Sequence, residues 1–181
     1  MLQITIPSTE LWDERKEEFV YVKEKTLQLE HSLVSLSKWE SKWNKAFLSS
    51  KEKTTEEIVD YIRCMTITQN VDPDVYNHLT NNIIQQIYDY INAPMTATVF
   101  SDNGKRSGGS RETVTSELIY YWMISLNIPF ECQKWHLNRL LTLIRVCEIK
   151  NTPPKKMGRG EIMSRNAALN AARRKQHNTK G

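Results

Sequence analysis

A cysteine, a histidine and a glutamate lie close together in a stretch of predicted helix. Cys132 and His136 are four residues apart, which would place them on one helix face, with Glu131 beside them. Such a set can supply a pair of metal ligands or a Cys/His nucleophile. The sequence offers no second ligand pair at metal spacing, and a buried helix commonly holds a small apolar cysteine. We therefore expect a structural role here, with no metal and no cofactor.

Two other groups of residues have the composition of reactive sites but not the spacing. Residues 104–110 (GKRSGGS) are rich in Gly, Ser and basic side chains, yet they do not follow the P-loop pattern. The adjacent carboxylates Glu17-Glu18 and Glu56-Glu57 would point in different directions on a helix and so do not form an acid–base pair. No nucleophile, base and oxyanion donors occur in a recognisable arrangement, so the sequence predicts a protein that is not an enzyme.

Four tryptophans are the candidates for a partner-binding surface. Trp39 and Trp43 share a predicted helix face, while Trp122 and Trp135 lie on two predicted helices that flank a turn at residues 127–129. Aromatic side chains anchor protein cores, and they also concentrate at binding hot spots. We expect these four residues to form the core or to line a groove that receives an apolar helix.

Basic charge is concentrated at the C-terminal end of the chain. Residues 150–181 contain nine Lys or Arg residues and one acid, which gives +8, whereas residues 1–149 carry −4. The candidate binding residues of this tail are Lys155, Lys156, Arg159, Arg165, Arg173, Arg174 and Lys175. They can attract nucleic acid, although the tail has no aromatic residue on which a base could stack. A solubilising extension and an arm for an acidic protein surface are the alternatives.

The composition as a whole is that of an ordinary soluble protein. The 181 residues are 39% hydrophobic and 25% charged. The longest apolar stretch, residues 118–130, is too short for a membrane span of ~20 residues. The N-terminus lacks the pattern of a secretion signal, and three cysteines without a CxxC motif do not make a disulfide framework. We expect an intracellular protein without a membrane partner.

Hydrophobic periodicity predicts an α+β fold that is predominantly helical. Residues 1–31 form a small N-terminal antiparallel β-region, in which residues 2–6 alternate as a strand. Residues 19–22 and 26–30 are predicted to pair as a hairpin, and residues 8–12 to form a turn or short helical piece.

A helical body is predicted for residues 32–149. The expected helix starts are Thr54 with Glu57, Asp72 with Pro73, and either Thr113 or Thr115. Ile83, Ile84, Ile87, Tyr88 and Ile91 form one apolar stripe, and the last body helix is expected over residues 130–149. A flexible loop is expected at residues 101–112, and residues 150–181 form a basic extension in which residues 162–175 have helical character but little to bury.

Several segments of the chain resemble small proteins encoded among the tail genes of tailed bacteriophages. They are residues 37–43 (SKWESKW), 47–48, 60–65 (DYIRCM), 117–123 (ELIYYWM), 128–140 (IPFECQKWHLNRL) and 163–170 (MSRNAALN). On these residues the chain is similar to a tail assembly chaperone of long-tailed phages.

This resemblance implies a non-enzymatic chaperone that acts in the host bacterial cytoplasm. Such proteins coat the long, apolar, helical tape-measure protein before the tail tube polymerises around it, and they help to recruit the tail tube protein. Self-association is a further expectation. One alternative is a structural protein of the phage tail or neck, located in the virion. Another is a small accessory protein that binds nucleic acid through the basic tail.

Overall fold

The computed structural model describes residues 1–13, 18–49, 51–100, 113–153 and 158–179. The strands are β1 (Leu2–Ile6), β2 (Thr9–Asp13), β3 (Glu18–Val22) and β4 (Lys25–Leu29). The α-helices are α1 (Leu33–Trp43), α2 (Thr55–Met65), α3 (Asn81–Asn92), α4 (Ser116–Ser125), α5 (Leu137–Asn151) and α6 (Arg159–His177), and Pro73–His78 and Phe130–Lys134 are 3-10 helices. The predicted α+β, predominantly helical fold class is confirmed.

The N-terminal strands pair in a nested order that the sequence did not predict. β1 runs antiparallel to β4, with Leu2 opposite Leu29, and β2 runs antiparallel to β3. The predicted hairpin of residues 19–22 with residues 26–30 is therefore wrong, and residues 9–13 form a strand where a turn or short helix was expected. Alternation of polar and apolar residues identifies a strand and its buried face, but it does not identify the neighbouring strand.

Side-chain caps begin the helices of the body. The Thr54 hydroxyl accepts a hydrogen bond from the Glu57 backbone, and the Glu57 carboxylate accepts one from the Thr54 N–H, so the predicted capping box of α2 is confirmed. Thr115, one of the two predicted candidates, caps α4. Asp72 does begin a helix with Pro73 in its first turn, but that helix is 3-10. These caps satisfy backbone donors that a helix leaves without internal partners.

The predicted last body helix is interrupted at Trp135 and His136. Residues 130–134 form a 3-10 helix, and α5 begins only at Leu137. The Leu137 N–H donates to the His31 carbonyl at 2.7 Å, and His136 forms an isolated β-bridge with Ser32. Because these tertiary hydrogen bonds hold an extended backbone, Cys132 and His136 do not share a helix face. That prediction is wrong.

One hydrophobic core joins the β1–β4 pair to the helices. Alternate residues of the two strands point into this core, as Ile6 and Leu29 show by their complete burial. The side chains that are 0% exposed are Ile6, Leu27, Leu29, Leu33, Leu36, Ile119, Met123, Leu137 and Leu140. Burial of one face of a two-stranded sheet against helices provides the stability that the strand pair lacks by itself.

The chain divides into two compact units, Met1–Glu148 and Ile149–Gly181. The second unit contains α6, which confirms the helical character predicted for residues 162–175 and extends it in both directions. All described side chains of α6 are exposed. The loop predicted at residues 101–112 lies outside the described residues.

Candidate functional site

An apolar groove runs between α2, α3 and the segment that follows α1. Its volume is about 440 Å³. Most of the side chains that line it are apolar, and the charged ones are at one edge; the lining residues are Phe47, Leu48, Lys51, Glu52, Lys53, Ile58, Tyr61, Ile62, Ile84, Ile87, Tyr88, Ile91 and Asn92. A concave apolar surface of this size is typical of a binding site.

The apolar groove exists because α3 carries more apolar side chains than the core buries. Ile87 and Ile62 of α2 are each 2% exposed and form the floor. Tyr88 of α3 is 61% exposed and Ile58 of α2 is 41% exposed, so these two lining side chains present apolar surface to solvent. A helix that needed only to pack on the core would carry polar residues at such positions.

The segment that follows α1 forms one wall of the apolar groove, and buried contacts hold Phe47 of this wall in place. The Phe47 ring stacks on Tyr61 with the ring centroids 3.8 Å apart. The Phe47 N–H donates at 2.9 Å to Glu40, whose other carboxylate oxygen accepts the Ser116 N–H at 2.7 Å. Glu40 is buried, and its two hydrogen bonds tie this wall to the start of α4. Lys53 lies over the outer part of the wall, with its Nζ 4.8 Å from the Phe47 ring centroid.

The structure brings Trp39 and Trp43 together on α1. Their rings stack with centroids 6.1 Å apart. Trp39 is buried in the core and donates its indole N–H to the Glu57 carbonyl at 2.9 Å. Trp43 is half-buried and donates to Asp60 at 2.8 Å. Burial opposes ionisation of Asp60, but the hydrogen bonds from Lys42 and Trp43 outweigh it and lower the pKa of this carboxyl.

Trp122 and Trp135 are half-buried at other places in the body. Trp122 lies on α4, and Trp135 lies between the 3-10 helix 130–134 and α5, where the Arg139 guanidinium is 4.2 Å from its ring centroid. Among the described residues no ring contact joins either of them to Trp39 or Trp43, and none of the four lines the apolar groove. Their role in partner binding stays a prediction.

The predicted basic residues of the tail fall on α6 or outside the described residues. Arg159, Arg165, Arg173, Arg174 and Lys175 are exposed on α6. Lys155 and Lys156 lie outside the described ranges.

A buried cluster of two histidines and two tyrosines joins distant parts of the body. His31 Nδ1 is hydrogen-bonded to the Tyr61 hydroxyl at 2.6 Å, and the His31 and His136 rings are 5.1 Å apart. His136 Nε2 lies 3.0 Å from the Tyr90 carbonyl, while the Tyr90 hydroxyl donates to Glu30 at 2.6 Å. No pattern in the sequence indicated this cluster, because His31 and His136 come together only through the β-bridge at Ser32.

Burial controls the protonation of these side chains. Desolvation, with a smaller contribution from the neighbouring His136, lowers the pKa of His31 from 6.5 to about 3. Desolvation also lowers the pKa of His136. Burial raises the pKa of the Cys132 thiol, and a thiol that stays protonated is a poor nucleophile. The cluster therefore consists of neutral, packed groups at pH 7.

Comparisons of the chain with protein-family models, curated proteins and solved structures find no match. Within the described ranges no group of three or more His, Cys, Asp or Glu residues is placed to hold a metal ion. In the same ranges no helix combines the length and the apolar character needed to cross a membrane.

Proposed function

We propose that the protein is a non-enzymatic bacteriophage tail assembly factor. It acts as a chaperone that binds an apolar helical segment of the tape-measure protein before the tail tube polymerises, with the tail tube protein as its second partner. The observation that carries this proposal is the apolar groove between α2 and α3. The resemblance of residues 37–43, 47–48, 60–65, 117–123, 128–140 and 163–170 to phage tail assembly chaperones supplies the biological setting.

The dimensions of the apolar groove suit a helix of a few turns. At 1.5 Å per residue the 12 residues of α3 are about 18 Å long. An amphipathic helix places apolar anchors at positions i, i+4 and i+7, which span about 10 Å. Leu48, Ile58 and Tyr88 all line the groove, so a helix seated in it would cover them. These residues are 39%, 41% and 61% exposed and gain most from being covered.

The apolar groove is also formed in advance of binding. The Glu40 hydrogen bonds and the Phe47–Tyr61 stack hold the wall formed by the segment after α1 in place without a partner. A preformed wall reduces the side-chain ordering that binding would otherwise require. Such a surface can protect an apolar helix from aggregation and still release it when tube subunits arrive.

The proposal is tested by co-expression of the full chain with the tape-measure protein encoded in the same phage genome. We expect a soluble complex with the native chain and loss of that complex when Tyr88→Lys and Ile58→Lys are introduced together. The matched control is Tyr121→Lys with Ile124→Lys, which changes two residues on α4 that are 63% and 61% exposed. Thermal melting of both double variants checks that the body is folded.

Two results would contradict this function. One is a tape-measure protein that stays insoluble with the native chain. The other is a complex that survives the groove substitutions as well as it survives the α4 substitutions. Presence of the protein in purified virions would favour the structural alternative, because an assembly chaperone should be absent from the finished particle.

A further inference from the structure

We propose that α6 binds double-stranded DNA through the major groove. Nothing in this inference depends on the apolar groove, since α6 belongs to the second unit of the chain. The sequence of α6 is strongly basic: it contains four arginines and one lysine but only one acidic residue, Glu161. These five cations are distributed over 19 residues, a helix about 28 Å long.

The described side chains of α6 are all exposed, so the sequence of this helix is not explained by packing. It has three large apolar side chains, Ile162, Met163 and Leu169. At 100° per residue Arg173 falls on the same side as Ile162 and Leu169, which interrupts any apolar face. A helix of this composition is marginal alone in water, and it gains stability when a polyanion neutralises its charge.

The arrangement of small and basic residues on α6 fits a groove with phosphates along both edges. Ala167, Ala168, Ala171 and Ala172 share one face of the helix. By the same helical spacing, Arg165 and Arg174 lie on opposite sides of this alanine face, each about a quarter turn from its centre. Alanines allow the helix backbone to approach base edges, while arginines on either side reach the two phosphate strands.

Duplex DNA satisfies these features better than other polyanions. The major groove of B-DNA is about 12 Å wide and admits an α-helix, whereas the corresponding groove of A-form RNA is too narrow and deep. Single-stranded nucleic acid is usually held by aromatic stacking. Residues 150–181 contain no aromatic residue. An acidic protein surface offers no pair of regularly spaced phosphate rows to match the two flanking arginines.

The test measures the binding of the full chain to a fluorescent 20-base-pair duplex by anisotropy at 50 to 200 mM salt. If the three cations on or beside the alanine face, Arg165, Arg174 and Lys175, each neutralise one phosphate, the logarithm of affinity falls with the logarithm of salt with a slope of about −2.7. That slope corresponds to a loss of roughly 40-fold over this range. A slope near zero, or no binding at 50 mM salt, overturns the proposal.

Two charge variants locate the binding surface. Replacing Arg174 and Lys175, which lie beside and near the centre of the alanine face, by Gln, a residue of similar helix propensity, should reduce the slope by about 2 and weaken binding at 50 mM salt by at least about 10-fold. Replacing Lys23 and Lys134, two exposed lysines of the body, by Gln should change the affinity less than about 3-fold. Equal effects of the two variants would overturn the assignment to α6.

A second pair of variants tests the orientation of the helix. Ala171→Leu adds bulk to the alanine face, and we expect binding about 10-fold weaker with an unchanged salt slope. Asn166→Leu adds bulk on the opposite side of α6 and should leave the affinity unchanged. Tighter binding of the native chain to polyglutamate or to vesicles of anionic lipid than to the duplex would refute DNA as the partner.

Discussion

A fall in pH from 7 to 5 should destabilise the body because two buried histidines are neutral in the folded state. Burial beside Tyr61 and the second histidine holds the pKa of His31 at about 3, against 6.5 for an exposed ring. The pKa of His136 is lowered in the same direction. Below pH 6.5 these histidines therefore bind protons in the unfolded chain but stay neutral in the folded chain.

The size of this effect follows from the His31 pKa. Since the pKa of His31 is depressed in the folded state, this group leaves the free energy of unfolding undiminished well above pH 6.5. It lowers that free energy progressively as the pH falls from 6.5 toward 3. Between pH 7 and pH 5 the loss from His31 alone is about 2 kcal/mol, at 1.36 kcal/mol for each pKa unit. His136 adds to the loss. The pKa values of Glu57 and Asp60 are also lowered, but these carboxyls destabilise the fold only at more acidic pH.

The assay is urea unfolding of the full chain at pH 7, 6 and 5, followed by tryptophan fluorescence. The native chain should lose at least about 2 kcal/mol of unfolding free energy over this range. His31→Gln should be less stable at pH 7 but should lose about 2 kcal/mol less on acidification. His78→Gln, a change at a half-buried ring outside the cluster, serves as the control.

The reasoning is refuted if His31→Gln and the native chain show the same dependence on pH. It is also refuted if His78→Gln flattens the profile as much as His31→Gln does. Either result would mean that protons taken up on unfolding go to other groups.

Three further predictions concern the contacts that hold the groove and the helices, and each is measured by urea unfolding at pH 7. Glu40→Gln should cost about 2 kcal/mol, because an amide cannot accept from both buried backbone N–H groups; exposed Glu56→Gln should change stability by less than about 0.5 kcal/mol. Trp39→Ala should cost about 3 to 5 kcal/mol, since the indole is 1% exposed and also donates a hydrogen bond. Thr54→Ala should cost about 1 kcal/mol through loss of the α2 cap.

Each of these predictions has an outcome that contradicts it. A Glu40→Gln variant as stable as Glu56→Gln would show that the buried carboxylate does not anchor the groove wall. If Trp39→Ala lowers the free energy of unfolding by less than about 1 kcal/mol, this tryptophan is not a core residue. For Thr54→Ala, unchanged stability would mean that water replaces the hydroxyl at the helix start.

Part of the candidate site was visible in the sequence. The capping box at Thr54 and Glu57 and the stripe of α3 from Ile83 to Ile91 both depend on residues within one or two helical turns. The sequence did not reveal that the core covers Ile87 but leaves Tyr88 and Ile58 exposed along the same groove. That outcome depends on how α2 and α3 pack against each other, which the residue spacing within each helix does not specify.

Much of the local structure follows from the sequence alone: the strand at residues 2–6, the starts of α2 and α4, the apolar stripe of α3 and the concentration of basic charge in residues 150–181. Local patterns suffice there because caps, turns and hydrophobic faces are satisfied by neighbours a few residues away. Long-range contacts, which no local pattern shows, determine the strand at residues 9–13, the pairing of β1 with β4, the helix break at Trp135 and His136, and the meeting of His31 with His136. These features arise from hydrogen bonds and burial between segments far apart in the chain. When such contacts compete with local helical preference, they prevail because they satisfy buried backbone groups that would otherwise lack partners.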